Sequence, residues 1–256
     1  MRNTWPVFKK EMRSYFLSPI AYVVGAAFLA ICGYFFYANL IYYSLLSFRG
    51  HSNPLLADFL NVTEMVIAPF FRNVGVLTLF IVPLLTMRLF AEEKKLGTIE
   101  LLLTYPVRDG EVVAGKFLAC IAVYLLILLL GSFYPLTVVF LGKPEAGPLF
   151  TGYLGLILLG GMAVSVGLFA SSLTENQIVA AVITFTILLL LWGLGWVSEI
   201  SSSPLTRALE YISPRGHFDS LSKGVIETKG IVAFLIHIAF FLFMTMRLLE
   251  ARRWRG

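Results

Sequence analysis

Apolar runs of about 17 to 24 residues recur along the chain, each close to the roughly 20 residues a helix needs to cross a bilayer core. They predict spans near residues 20–40, 74–90, 112–140, 149–171, 178–197 and 231–248. A barrel would alternate apolar and polar positions over about ten residues at a time, and this chain does not. The fold class expected is therefore an all-α polytopic membrane protein with six transmembrane helices, built as a single domain over 1–256. Before the first span, residues 4–17 repeat Trp5, Phe8, Met12 and Phe16 at helical spacing, with Lys9, Lys10, Arg13 and Ser14 on another face. That is the pattern of a helix lying in the membrane interface, capped by Thr4 and ended by Ser18-Pro19. Leu55, Phe59, Val62 and Val66 share helical spacing too, as a surface helix or as an extension of the second span.

One long polar excursion interrupts the apolar pattern, Arg88 to Lys116. Within it, the second span is expected to continue as helix through Glu92, Glu93, Lys94 and Lys95, with Pro83 as a kink. Gly97 suits the position after that helix end. Thr98 can then cap a new short helix with Glu100 in its first turn and Ile99, Leu102 and Leu103 as an apolar stripe. Pro106 stops this helix after about seven residues, roughly 10 Å of axis. A rigid helix across the ends of two spans fits a groove on a soluble partner and passes that partner's movement to both.

Composition adds sidedness. Of 20 lysines and arginines, thirteen fall in the N-terminal segment, the Arg88–Lys116 loop and the C-terminal tail, against seven in the other loops. The positive-inside rule then places both termini and the Arg88–Lys116 loop in the cytoplasm. A net charge of +5 in a chain that is 58% hydrophobic speaks for orientation and anionic lipid in the bilayer, not for nucleic acid. Cys32 and Cys120 sit in apolar runs and read as free buried thiols, and no Cys/His spacing suggests a metal site.

The loop elements Glu92-Glu93, Gly97-Thr98-Ile99-Glu100, Tyr105-Pro106-Val107 and Gly115-Lys116 resemble the permease subunits of ABC-2 type ABC transporters. So do Ser172-Leu173-Thr174-Glu175-Asn176-Gln177-Ile178 and the stretch from Ile212-Ser213-Pro214 through His217-Phe218 to Gly224-Val225-Ile226. Among the branches the chain looks most like permeases associated with gliding motility. The resemblance implies six spans with an N-terminal interfacial helix, a cytoplasmic coupling helix at Gly97–Pro106, and an outer re-entrant segment before the sixth span. It also implies a bacterial inner-membrane location and a complex of two permeases, alike or related, with two ABC ATPase subunits. Glu92 and Glu93 would face the ATPase. No GxxxxGK[ST] loop is present, so ATP and magnesium belong to the partner and this chain binds no cofactor of its own. In the gliding-type branch a membrane-anchored auxiliary subunit with an extracytoplasmic domain is a further partner.

Other polar residues allow two readings each. His237 lies within the sixth span, where an ionisable group is a functional candidate, or it is a neutral ring bonded to a neighbouring helix. Glu175, Asn176 and Gln177 either line a substrate entrance or form a polar turn with Thr174 capping the fifth span. Glu199, Arg207, Glu210, Arg215, His217 and Asp219 show no catalytic spacing and suit a re-entrant segment. Two rivals to a permease are a membrane-embedded enzyme, such as an intramembrane protease, and a structural anchor of a motility or envelope complex. The first would want a nucleophile and base in facing spans, and Ser165 lacks the flanking glycines of such a site.

Overall fold

The computed structural model describes residues 4–50, 61–98, 108–141, 145–200 and 209–253, and no strand occurs among them. In order, the helices are α1 (Thr4–Leu17), α2 (Pro19–Gly50), α3 (Ala68–Thr86), α4 (Ala91–Lys95), α5 (Asp109–Gly131), α6 (Phe133–Leu141), α7 (Ala146–Leu173), α8 (Gln177–Ile200), α9 (Pro214–Ser222) and α10 (Thr228–Arg253). A π-helical turn, Thr63–Ile67, leads into α3. Six segments are long and apolar enough to cross a membrane: Pro19–Phe48, Thr63–Lys95, Asp109–Phe140, Ala146–Leu173, Gln177–Trp196 and Thr228–Ala251, called spans 1 to 6 below. The first three, at 30, 33 and 32 residues, exceed the roughly 20 a bilayer core requires. Val62 and Val66 lie on the helical extension of span 2, which begins about a turn before Val66 and not at residue 74. Leu55 and Phe59 fall outside the described residues.

Spans 2 and 3 are each interrupted near one end. Span 2 runs helically through Pro83 and breaks four residues later, at Met87–Phe90, before resuming as α4. Span 3 breaks at Ser132, whose hydroxyl donates to the Leu129 carbonyl at 2.6 Å. The helix thus continues through Pro83, and the interruption falls at a site where another span supplies hydrogen bonds, described below.

Span 4 is the centre of the bundle. It is 78% buried over its most apolar window, against 67% or less for the other five, so its glycines face protein on most sides. Phe71 of span 2 fits over Gly152, the Tyr124 ring of span 3 over Gly160, and the Thr86 side chain over Gly167. Without Cβ atoms these positions let ring and backbone meet directly, which is the use of small residues between membrane helices. Tyr124 is fixed in place by its hydroxyl, 3.0 Å from Thr78 Oγ1 and donating to the Leu156 carbonyl at 3.2 Å. Gly160→Val will drive this pinned ring off span 4. An overpacking cost of about 1–3 kcal/mol should appear as a lower melting temperature of the purified protein in detergent, with Ala in place of Val giving a smaller drop.

At the end away from α1, α9 inserts among spans 2, 4, 5 and 6. Ser213 caps it by accepting the Arg215 backbone N–H at 3.3 Å, and Pro214 occupies its first turn. Phe218 is 1% exposed and lies against both Gly75 and Gly155, with Trp192 6.1 Å away. After α9 the chain turns at Gly224, whose φ of +95° is open to glycine at little cost, and enters span 6. A short helix that dips between spans and returns is the geometry expected of the re-entrant segment.

Candidate functional site

At the α1 end, four elements converge on the short helix α4. α1 matches the expected 4–17 helix in extent, but its protein-facing side is Val7, Glu11 and Tyr15, spaced four residues apart. Trp5 is 68% exposed and Phe16 47% exposed; this apolar side faces away from the bundle, with Trp5 stacked on Phe8 at 5.3 Å. α1 therefore carries three faces: one for protein, one apolar and open, one charged. The amphipathic reading found the last two and merged the first into them. Close contact with span 3 comes from Gly115, where a Cβ would come within 2.8 Å of the Val7 side chain and 3.0 Å of the Thr4 carbonyl oxygen.

Next to Gly115, Lys116 is 1% exposed and sits inside a cage of acceptors. Its Nζ donates to Glu11 Oε1 at 2.7 Å and to the Leu89 carbonyl at 2.7 Å, and lies 3.0 Å from Glu93 Oε2. The Phe90 ring centroid is 5.1 Å away. Glu93 Oε1 in turn accepts from Lys10 Nζ at 2.7 Å. Two carboxylates and two ammonium groups thus alternate in one cluster. A buried lysine is tolerated on these terms, with each charge matched and hydrogen-bonded. Burial works against the Lys10 charge, but the Glu93 hydrogen bond and charge, with Glu11 beyond, outweigh it and hold the ammonium above the ordinary lysine value.

The break in span 2 is stitched to span 4. Ser171 Oγ accepts the Phe90 N–H at 2.9 Å and the Ala91 N–H at 3.0 Å, and donates to the Met87 carbonyl at 3.0 Å. One hydroxyl thereby satisfies three backbone groups that the break would leave bare in an apolar setting. Lys94 Nζ donates to the Ser172 carbonyl, placing a cation at the negative end of α7. On the α1 side, Tyr15 donates to the Leu85 carbonyl at 2.8 Å, and Arg88 donates to Ser14 Oγ at 3.0 Å.

These contacts sort the residues singled out in the sequence. Glu93 is buried and turned inward onto Lys116 and Lys10, while Glu92, one position before it, is only partly covered. The difference is helical: adjacent residues point about 100° apart, and α1 with span 3 covers one direction only. Gly97 has φ +67° and closes α4 as expected, its N–H reaching the Lys94 carbonyl at 3.1 Å. Thr98 donates its hydroxyl back to the Glu93 carbonyl at 3.2 Å. Lys95, Leu96, Gly97 and Thr98 form the exposed rim, with Leu96 66% exposed. Ile99, Glu100, Leu102, Leu103 and Pro106 fall outside the described residues.

Glu175, Asn176 and Gln177 form a capping turn. Asn176 Oδ1 accepts the Ile178 N–H at 2.9 Å, while Thr174 Oγ1 accepts the Asn176 N–H at 3.1 Å. Asn176, not Thr174, caps span 5, since its oxygen stands directly before the first free donors. His237 Nδ1 lies 2.8 Å from the Ala233 carbonyl of its own helix and not on a neighbouring one. Ser165 donates to the Met162 carbonyl at 2.7 Å, also within its own helix. Sequence reasoning missed Glu11, Tyr15 and Ser171. Lys116 offered a clue, being four residues inside the expected third span, where a lysine requires a partner.

A family model described as ABC-2 family transporter protein matches residues 5–254. No curated protein matches the chain.

Proposed function

The chain belongs to the ABC-2 family of transporter proteins, and from that premise we propose that it is a permease subunit moved by a separate ABC ATPase seated against the rim Lys95–Thr98 and the residues that follow to Pro106. The observation that supports this reading is how α4 is anchored. Glu93 binds it to α1 and span 3, while Ser171 and Lys94 bind it to span 4. A push on the rim therefore reaches three membrane elements directly, and its outer face remains open to a partner. Glu92, Leu96, Gly97 and Thr98 would form the contact, with Ile99, Glu100, Leu102 and Leu103 beyond them. Glu93 serves as the anchor behind it.

In this reading two permeases, identical or related, work with two ATPases that carry the ATP and magnesium. The rim and both termini face the cytoplasm of a bacterial cell, and the complex exports a solute or transmits force across the inner membrane. The likeness to gliding-motility permeases stays part of this proposal.

Affinity purification of the chain in mild detergent, from cells also expressing the neighbouring genes, tests the partner. An ATPase subunit should come with it in near-equal amount. Leu96→Asp, which puts a charge on the exposed apolar rim and touches nothing in the core, should lower ATPase recovery about tenfold, or 1.4 kcal/mol. Purification of the permease alone under these conditions would defeat the reading.

A further inference from the structure

At the end opposite the rim, a cleft of about 560 Å³ opens between spans 2 and 5, floored by α9. Arg72 lines it from span 2, Trp196 from span 5, and Glu210, Arg215 and Asp219 from the α9 region. It carries two guanidinium groups and two carboxylates beside an aromatic face. The Arg215 guanidinium lies 5.5 Å from the Trp196 ring centroid, and that ring is 56% exposed. Asp219 takes its tight ion pair from Lys223, at 2.6 Å, and meets Arg72 Nε only loosely at 3.7 Å. The Arg72 side chain is 47% exposed.

A simple anion entering this cleft would meet Asp219 and Glu210, and a simple cation would meet Arg72 and Arg215. A ligand bearing both signs a few ångströms apart can add a contact to each pair without setting like charges together. Its anionic group suits the guanidinium fork, and its ammonium suits the carboxylates and the indole face.

Below Arg72, span 2 presents Val76, Phe80 and Leu84, which are 41%, 48% and 41% exposed and spaced four residues apart, while residues between them are buried or half-buried. Phe185 of span 5 flanks this stripe, its ring 4.9 Å from Phe80. From Arg72 to Leu84 the track is about 18 Å long at 1.5 Å per residue, close to half of a roughly 30 Å hydrocarbon core. A zwitterionic pocket at the head of an apolar track one leaflet deep has the outline of a single lipid. We infer that this cleft binds the headgroup of a zwitterionic phospholipid of the phosphoethanolamine type, whose acyl chain runs along Val76, Phe80 and Leu84. The site needs neither an ATPase nor transport, so it stands or falls apart from the docking proposal.

The full chain, purified in detergent and depleted of lipid, is loaded with dioleoyl phosphatidylethanolamine or dioleoyl phosphatidylglycerol and weighed by native mass spectrometry. Phosphatidylethanolamine should be retained about tenfold more tightly, a difference of 1.4 kcal/mol. Arg72→Gln and Trp196→Ala should each bring its retention down toward the phosphatidylglycerol level. Trp196 is mostly exposed, so the second variant tests the site without disturbing the core. Equal retention of the two lipids would overturn the inference, as would retention unaffected by both variants. Displacement by equimolar free phosphoethanolamine would show a headgroup pocket with no acyl track and would also overturn it. So would a Val76→Cys protein that crosslinks to a second copy while excluding lipid.

Discussion

Replacing Lys116 with alanine will cost the protein about 3–5 kcal/mol, the range for removing one partner of a buried ion pair. Lys116 is 1% exposed, and its ammonium is the only one of the cluster's two that is fully enclosed; the Lys10 side chain is 60% exposed. Without Lys116, Glu11 and Glu93 face each other across an apolar wall with only Lys10 at the edge. α1 then has reason to leave span 3, and Leu89 loses the donor on its carbonyl. At about 2–4 °C per kcal/mol for a chain of this size, the melting temperature in detergent should fall by about 10 °C. The double variant Lys116→Met with Glu11→Gln removes a charge of each sign and should recover part of that loss. A single Lys116→Ala protein that melts unchanged would mean that α1 is not clamped through this cluster.

Under the proposed docking of an ATPase at the rim, Leu102→Pro is expected to abolish coupling while leaving the permease inserted. In the sequence reading Leu102 lies at the middle of the Ile99–Leu103 stripe, and proline there removes a backbone donor and crowds the preceding turn at about 3 kcal/mol or more. A helix of seven residues has no reserve against such a loss. The anchor behind it, built from Glu93, Ser171 and Lys94, is untouched by the change. ATPase activity stimulated by the permease should therefore drop to the level of the isolated ATPase, with membrane yield and melting temperature near those of the parent. Full stimulation in the Leu102→Pro protein would place the coupling element elsewhere.

Much of this architecture is legible in the sequence because a bilayer permits few solutions. Six apolar runs, the turn at Ser18-Pro19 and the left-handed glycine at Gly97 each follow from local chemistry, and each is present. What the pattern could not supply was pairing across distance. Lys116, inside the expected third span, calls for a partner, but nothing local names Glu11, an ordinary polar residue of a basic helix until the fold sets the two 2.7 Å apart. Ser171 is one of many hydroxyls in an apolar span, and its three backbone bonds exist only because span 2 breaks opposite it. The family resemblance set Glu92 and Glu93 against the same partner, yet their surroundings differ: Glu93 is buried on Lys116 and Lys10, and Glu92 is half-buried. The same limit explains α1: an apolar stripe does not announce whether lipid or protein will cover it.

The bond between Glu11 and Lys116 joins residues 105 apart in the chain, and that distance has a meaning during synthesis. α1 leaves the ribosome ahead of the spans it packs on, yet the buried carboxylate of Glu11 has no Lys116 ammonium to meet until the third span has begun to emerge. At about 5–20 residues per second the wait is on the order of 5–20 s, during which two spans have already entered the membrane. α1 is thus made well before the residue that holds it, and it can close on the bundle only after span 3 has followed.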